Sequence, residues 1–178
     1  VFHKLSMTET TQGILAVVEI VKQEILPHKG RFIVLDAVQD PGNLGTIVRT
    51  ADAAGFDAVV LGTGTVDLYN DKVLRSMQGS HFHIPVFQAN LQEYLPILKE
   101  KGVQVAVTAL HRNSKDYSVL QGATDVAIVV GNEGQGVSSD VIEIADVVVT
   151  IPMFGKAESL NVAIASALLM YKTNETKE

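Results

Sequence analysis

Short runs of Val, Ile, Leu and Ala with little polar alternation recur along the chain, separated by stretches in which apolar residues return every three or four positions. The runs are Gly13 to Ile20, Phe32 to Val38, Ala58 to Leu61, His83 to Phe87, Val103 to Leu110, Val126 to Val130 and Val147 to Ile151. Each is predicted to be a strand, and the lack of alternation is the pattern of a parallel sheet covered on both faces. Helical spacing covers Leu44 to Ala54, Asp71 to Gln78, Leu91 to Lys101, Ser139 to Ile144 and Leu160 to Lys172, with Asn43 and Asn70 as candidate N-caps. Pro96 is expected to limit or kink the third of these. The alternation of elements gives an α/β fold: a parallel sheet with helices on both faces.

The last helical segment differs from the others. From Leu160 to Tyr171 it is apolar around nearly its whole circumference and needs more than one surface to cover it. Burial inside the domain and a dimer interface are the two ways to supply that cover.

The 178 residues suffice for one domain, which at this size buries roughly 70% of the surface it exposes when unfolded. No cysteine is present, which excludes disulfides, zinc-thiolate centres and thiol nucleophiles. The first residues lack a basic segment followed by an apolar stretch, and no run approaches the roughly 20 apolar residues that span a bilayer, so a cytoplasmic protein is expected. Net charge is −6, the wrong sign for gripping a polyanion through bulk electrostatics. Nucleic acid, if bound, must be held by local basic groups such as Lys72, Arg75, Arg112, Lys115 and Lys156.

Candidate chemistry gathers where aliphatic runs stop: Asp40-Pro-Gly-Asn-Leu-Gly-Thr-Ile-Val-Arg49, Gly131-Asn-Glu-Gly-Gln-Gly136, and Ile151-Pro-Met-Phe-Gly155 leading to Ser159-Leu-Asn161. Backbone amides and helix N-termini converge at strand ends of this kind and hold ligands there. Each segment also has a purely structural reading. Asn43 serves as a cap, Arg49 pairs with Asp52, the glycines make a tight turn, and Ser159 or Asn161 caps the final helix. Glu133 fits that reading least, because a carboxylate between glycines at a strand end belongs to no amphipathic face. The glycine spacings are not the G-x-G-x-x-G of a dinucleotide site, and neither a P-loop nor an acid-and-histidine cluster with metal-ligand spacing is found, so no metal is expected.

Leu35 to Gly55, Ile128 to Ser138 and Ile151 to Val162 resemble, in order, the three motifs of the SpoU (TrmH-type) RNA 2′-O-methyltransferases of the SPOUT superfamily, and the resemblance extends from Gly30 to Lys172. Arg75-Ser-Met-Gln-Gly79 followed by Pro85 is similar to a family segment near the substrate. The resemblance implies a C-terminal trefoil knot, which ordinary connection rules exclude, together with a bent S-adenosylmethionine and a homodimer built on the last helix. Gly131, Ile151 and Leu160 would meet the cofactor largely through backbone groups, with Leu110, Met153 and Ser159 nearby. The family's catalytic arginine falls on Arg49, supported by Asn43, Glu133 and Asn161, and Glu133 is expected to orient Arg49. Arg49, Arg75 and Lys156 would meet RNA.

Ribosomal RNA is the expected substrate; the alternatives are transfer RNA, or a non-catalytic role in RNA binding or ribosome assembly. Val1 to Gly13 resembles the junction after an N-terminal RNA-binding domain. Residues 1–13 are therefore expected to be a linker remnant and residues 14–178 the catalytic domain.

Overall fold

A computed structural model describes residues 13, 14, 16–20, 26–110 and 113–176. The strands are β1 (Arg31–Asp36), β2 (Ala58–Leu61), β3 (Val86–Gln88), β4 (Gln104–Thr108), β5 (Lys115–Asp116), β6 (Val126–Gly131) and β7 (Val147–Thr150). They form one seven-stranded sheet in the order β3-β2-β1-β6-β4-β7-β5, and every pairing is parallel. The helices are α1 (Pro41–Ala53), α2 (Asp71–Met77), α3 (Leu91–Glu100), α4 (Ser139–Ile144) and α5 (Val162–Asn174).

The sheet separates two cores, as unalternating strands require. Ile33, Leu35, Val59, Ile128 and Val130 face α1, α2 and α5, where they meet Leu44, Ile47, Val48, Met77 and Leu169. Phe32, Val34, Val60, Val105 and Val129 face α3 and α4, against Leu91, Leu95, Leu98 and Val141. Removing each such side chain from water contributes about 1.5–3 kcal/mol, so the central strands dominate the fold's stability.

Several expectations are corrected. Residues 13, 14 and 16–20 form no strand, and Ile14, Val17 and Val18 are 86%, 92% and 68% exposed. Their apolar run lacks a pairing partner among the described residues, which periodicity alone does not reveal. Residues 1–12 and Arg112 lie outside the described residues. Helix α1 begins at Pro41, and its N-cap is Asp40, whose carboxylate accepts from Asn43 N at 2.8 Å. Pro41 occupies a first-turn position where no amide is needed, which moves the start ahead of Asn43. Asn70 does cap α2, accepting from Lys72 N at 2.9 Å. The run from His83 yields a strand only at Val86–Gln88, because a 3-10 turn occupies Ser80–Phe82. Helix α3 continues through Pro96 to Glu100. Strand β5 was not expected, being two exposed charged residues paired with β7 alone.

Candidate active site

Strands β4, β6 and β7 end at Thr108, Gly131 and Thr150, side by side, and a cavity of about 680 Å³ opens across these carboxyl ends. Its wall includes Leu110, Gly131, Ile151, Met153, Ser159 and Leu160, all six residues expected to hold the cofactor, together with Glu133 and Asn161. Leu110 is 82% exposed and Leu160 37%. Open apolar surface at a cavity rim is what a ligand's own apolar parts would cover.

The loop after β6 is held from several directions. Asn132 Nδ2 donates to Ala37 O at 2.9 Å, while its Oδ1 accepts from Gly134 N and Gln135 N. Asn132 and Gly136 exchange backbone hydrogen bonds, and Ser138 N donates to Asp36 Oδ2 at 2.8 Å. The turn folds so tightly that a Cβ on Gly131 would lie 2.1 Å from Gly136 C and 2.2 Å from Val137 N. The absence of a side chain at Gly131 is what lets the turn pack back against Gly136 and Val137.

Glu133 leaves this loop to accept from Gln39 N and Asp40 N, both at 3.1 Å, and from Asn43 Nδ2 at 2.9 Å. Asn161 Nδ2 donates to Asn43 Oδ1 at 2.9 Å, while Asn161 Oδ1 accepts from Ala163 N and Ile164 N as the N-cap of α5. The amide orientations follow from the partners: Asn161 Oδ1 is fixed by backbone donors, and a carboxylate only accepts. Burial pushes the Glu133 carboxyl up, but hydrogen bonds from the Asn43 side chain and from backbone N–H groups outweigh it, and the net shift is downward. Three of the four expected catalytic residues, Asn43, Glu133 and Asn161, thus form one relay between the ends of β1 and β6 and the starts of α1 and α5.

Arg49 does not join them. In α1, Leu44, Ile47, Val48 and Ala51 are buried, which turns Arg49 outward; it is exposed and bonds to nothing among the described residues. Glu133 is engaged by backbone amides and Asn43 and does not orient Arg49, and Asp52 pairs with His83 rather than with Arg49. Arg75 is exposed and bound to Asp71 at 2.7 Å, and Lys156 is exposed. Neither lines the cavity. Glu158, which the sequence reading did not single out, does line it; the signal available was its place next to Ser159. Glu133 and Glu158 are the only charged side chains among the described lining residues. No group of three or more acidic or histidine residues among the described residues could hold a metal.

Parallel strands under two helical layers, with a ligand-sized cavity across their carboxyl ends, define an α/β protein that binds a small molecule at its strand ends. The model of the SpoU rRNA Methylase family matches residues 30–171, and the chain belongs to that family. It is 50% identical over 170 residues, 96% of its length, to a Bacillus subtilis protein named 23S rRNA (guanosine(2553)-2'-O)-methyltransferase RlmP. Among solved structures, an AdoMet-bound rRNA methyltransferase from Sinorhizobium meliloti matches 84% of the chain with a TM-score of 0.78 and 38% identity. The SpoU methyltransferase AviRb from Streptomyces viridochromogenes, in complex with AdoMet, matches 80% with a TM-score of 0.73 and 28% identity. The chain spans 68% of the Bacillus protein and 58% of each of the two solved chains.

Proposed function

We propose that this chain is the catalytic domain of an S-adenosylmethionine-dependent RNA ribose 2′-O-methyltransferase that acts on ribosomal RNA as a homodimer. The observation that carries the reading is the relay Glu133–Asn43–Asn161, which ties the cavity to the helix that bears Arg49. The cavity's chemistry suits the cofactor. Leu110, Ile151, Met153 and Leu160 offer apolar surface to a nucleoside, and two carboxylates, with no cation among the described lining residues, favour a positively charged ligand. S-adenosylmethionine supplies an already activated methyl on a sulfonium.

What remains for the protein is to align a ribose 2′-oxygen and to stabilise the charge that develops as its proton leaves. A guanidinium suits that task as a fixed cation and hydrogen-bond donor, because it holds its proton too tightly to act as a base. Arg49 takes this role. Since it faces away from the cavity of its own chain, the complete site uses the Arg49 of a second copy, set over the cavity across a two-fold axis. The unpartnered apolar face of α5, with Ile164 and Tyr171 exposed by 53% and 52%, supports such a dimer.

Strand order supports the expected knot. β7 lies between β4 and β5, both of which precede it in sequence, and the chain then leaves through α5. The Bacillus relative's name favours ribosomal over transfer RNA, and with it a cytoplasmic location. Lys156 and Arg75 remain candidate RNA contacts, and a separate RNA-binding portion, joined through residues 1–13, would offset the net charge of −6.

The test is transfer of labelled methyl from S-adenosylmethionine to ribosomal RNA by the full-length protein, with mapping of 2′-O-methyl sites in a strain that lacks it. One site that disappears in the deletion and returns on complementation is expected. Cofactor binding without transfer to any RNA would instead favour the non-catalytic role.

A further inference from the structure

Phe82 closes the 3-10 turn Ser80–Phe82, and its side chain is 75% exposed. The turn is firmly anchored. Ser80 and Ile84 are buried, Phe82 N donates to Gly79 O at 2.9 Å, and His83 N donates to Ser80 O at 2.8 Å. Gly79 enters the turn at φ +89°, a left-handed conformation that favours glycine. The imidazole of His81 packs behind the phenyl ring at 4.0 Å between centroids, with 37° between planes. Burial pushes the His81 pKa down, with the charge of His83 adding to it, so this backing ring is neutral at neutral pH. The anchored phenyl therefore presents its surface outward at little cost in side-chain entropy.

The surroundings identify what it could receive. His83 Nδ1 lies 3.0 Å from Asp52 Oδ2, which docks the turn onto α1. Arg49 lies one turn before Asp52 on the same outward side of that helix. The turn that carries the aromatic surface is thus docked on α1 about one helical turn from Arg49, whose guanidinium is unpaired among the described residues. Gln78, His83 and Asp52 make the setting polar, unlike the contiguous apolar patch of a protein interface. A single aromatic beside a cation suits an unpaired nucleobase, which stacks through its π-face while its phosphate meets the guanidinium. Phe154, 97% exposed, has no such backing ring among the described residues.

We infer that Phe82, backed by His81, is a stacking platform for an unpaired base of the RNA substrate and so a positioning residue for the ribose presented to Arg49. The inference rests on the RNA methyltransferase reading. It is tested with the full-length wild type, Phe82→Ala and Phe82→Tyr, using ribosomal RNA and an oligoribonucleotide with a fluorescent adenine analogue in an unpaired loop. Phe82→Ala is expected to raise the RNA KM about tenfold or more and to abolish quenching of the analogue, while kcat, S-adenosylmethionine affinity by calorimetry and Tm stay at wild-type values. Phe82→Tyr, which keeps the ring, restores both RNA readouts. RNA KM and quenching unchanged in Phe82→Ala would overturn the inference, as would dissociation of the Phe82→Ala dimer in sedimentation, which would make the ring a protein contact. A wild type that moves no methyl to RNA would refute the methyltransferase reading itself, an outcome distinct from a flat Phe82 series on an active enzyme.

Discussion

Asn161 Nδ2 donates to Asn43 Oδ1 at 2.9 Å, across 118 positions of sequence. The same Asn161 caps α5 through its other amide atom, so one side chain both starts a helix and fastens it to the start of α1. Asn161→Ala is expected to lower stability by about 0.5–2 kcal/mol, the range for a lost cap, and to weaken S-adenosylmethionine binding. Asn161→Asp keeps the capping oxygen but sets a carboxylate against Asn43 Oδ1, so it should recover stability more than affinity. Chemical denaturation and calorimetry on both variants separate the two effects.

Glu133 gives a pH signature. Its folded pKa lies below the ordinary 4.5, so its contribution to stability is complete above that value and is lost as pH falls through the folded pKa. Glu133→Gln should therefore destabilise the protein at neutral pH, by less than about 1 kcal/mol given the exposure of the loop. The difference from wild type should vanish in acid. Urea titrations across that range measure it.

Gly131→Ala tests the tight loop. A Cβ placed 2.1 Å from Gly136 C must displace backbone, at a cost of about 1–3 kcal/mol. The displaced segment lines the cavity, so cofactor affinity is expected to fall with Tm, and both are read on one sample by calorimetry.

Arg49 should behave in the opposite way. Exposed and unbonded among the described residues, it can become Ala with a stability change within about 0.5 kcal/mol, while methyl transfer is lost. Mixing Arg49→Ala chains with Gly131→Ala chains should raise transfer above that of either variant alone, because one composite site then holds an intact cavity and an intact Arg49. Absence of complementation in verified heterodimers would place both parts of the site within one chain.

Ile164, Leu168 and Tyr171 lie on one exposed side of α5. Ile164→Lys is expected to leave the circular dichroism of the fold intact and to shift the protein to monomer in sedimentation, with loss of activity.

The β1, β2, β4, β6 and β7 cores were legible because buried parallel strands leave unbroken Val and Ile runs, and Asn70 was legible as a cap because the signal is local. The run from Gly13 shows the limit: its composition equals that of a strand, but pairing is a property of neighbours. Strand β5 was invisible for the converse reason, since Lys115 and Asp116 join the sheet through backbone alone. The cavity residues followed from the motif resemblance, whereas the partner of Glu133 depended on Asn43, 90 positions away. Arg49's outward direction could have been read from the buried spacing of Leu44, Ile47, Val48 and Ala51, which leaves position 49 on the opposite side.

Strand β5 pairs only with β7, yet it leaves the ribosome first. Until the later strand arrives, the sheet must stop at β4, and Lys115 and Asp116 have no ladder to join. Synthesis thus delivers an edge before the piece that connects it, and the sheet's full width waits on β7. A release of the nascent polypeptide before β7 emerges would leave the sheet ending at β4, with Lys115 and Asp116 attached to nothing in it.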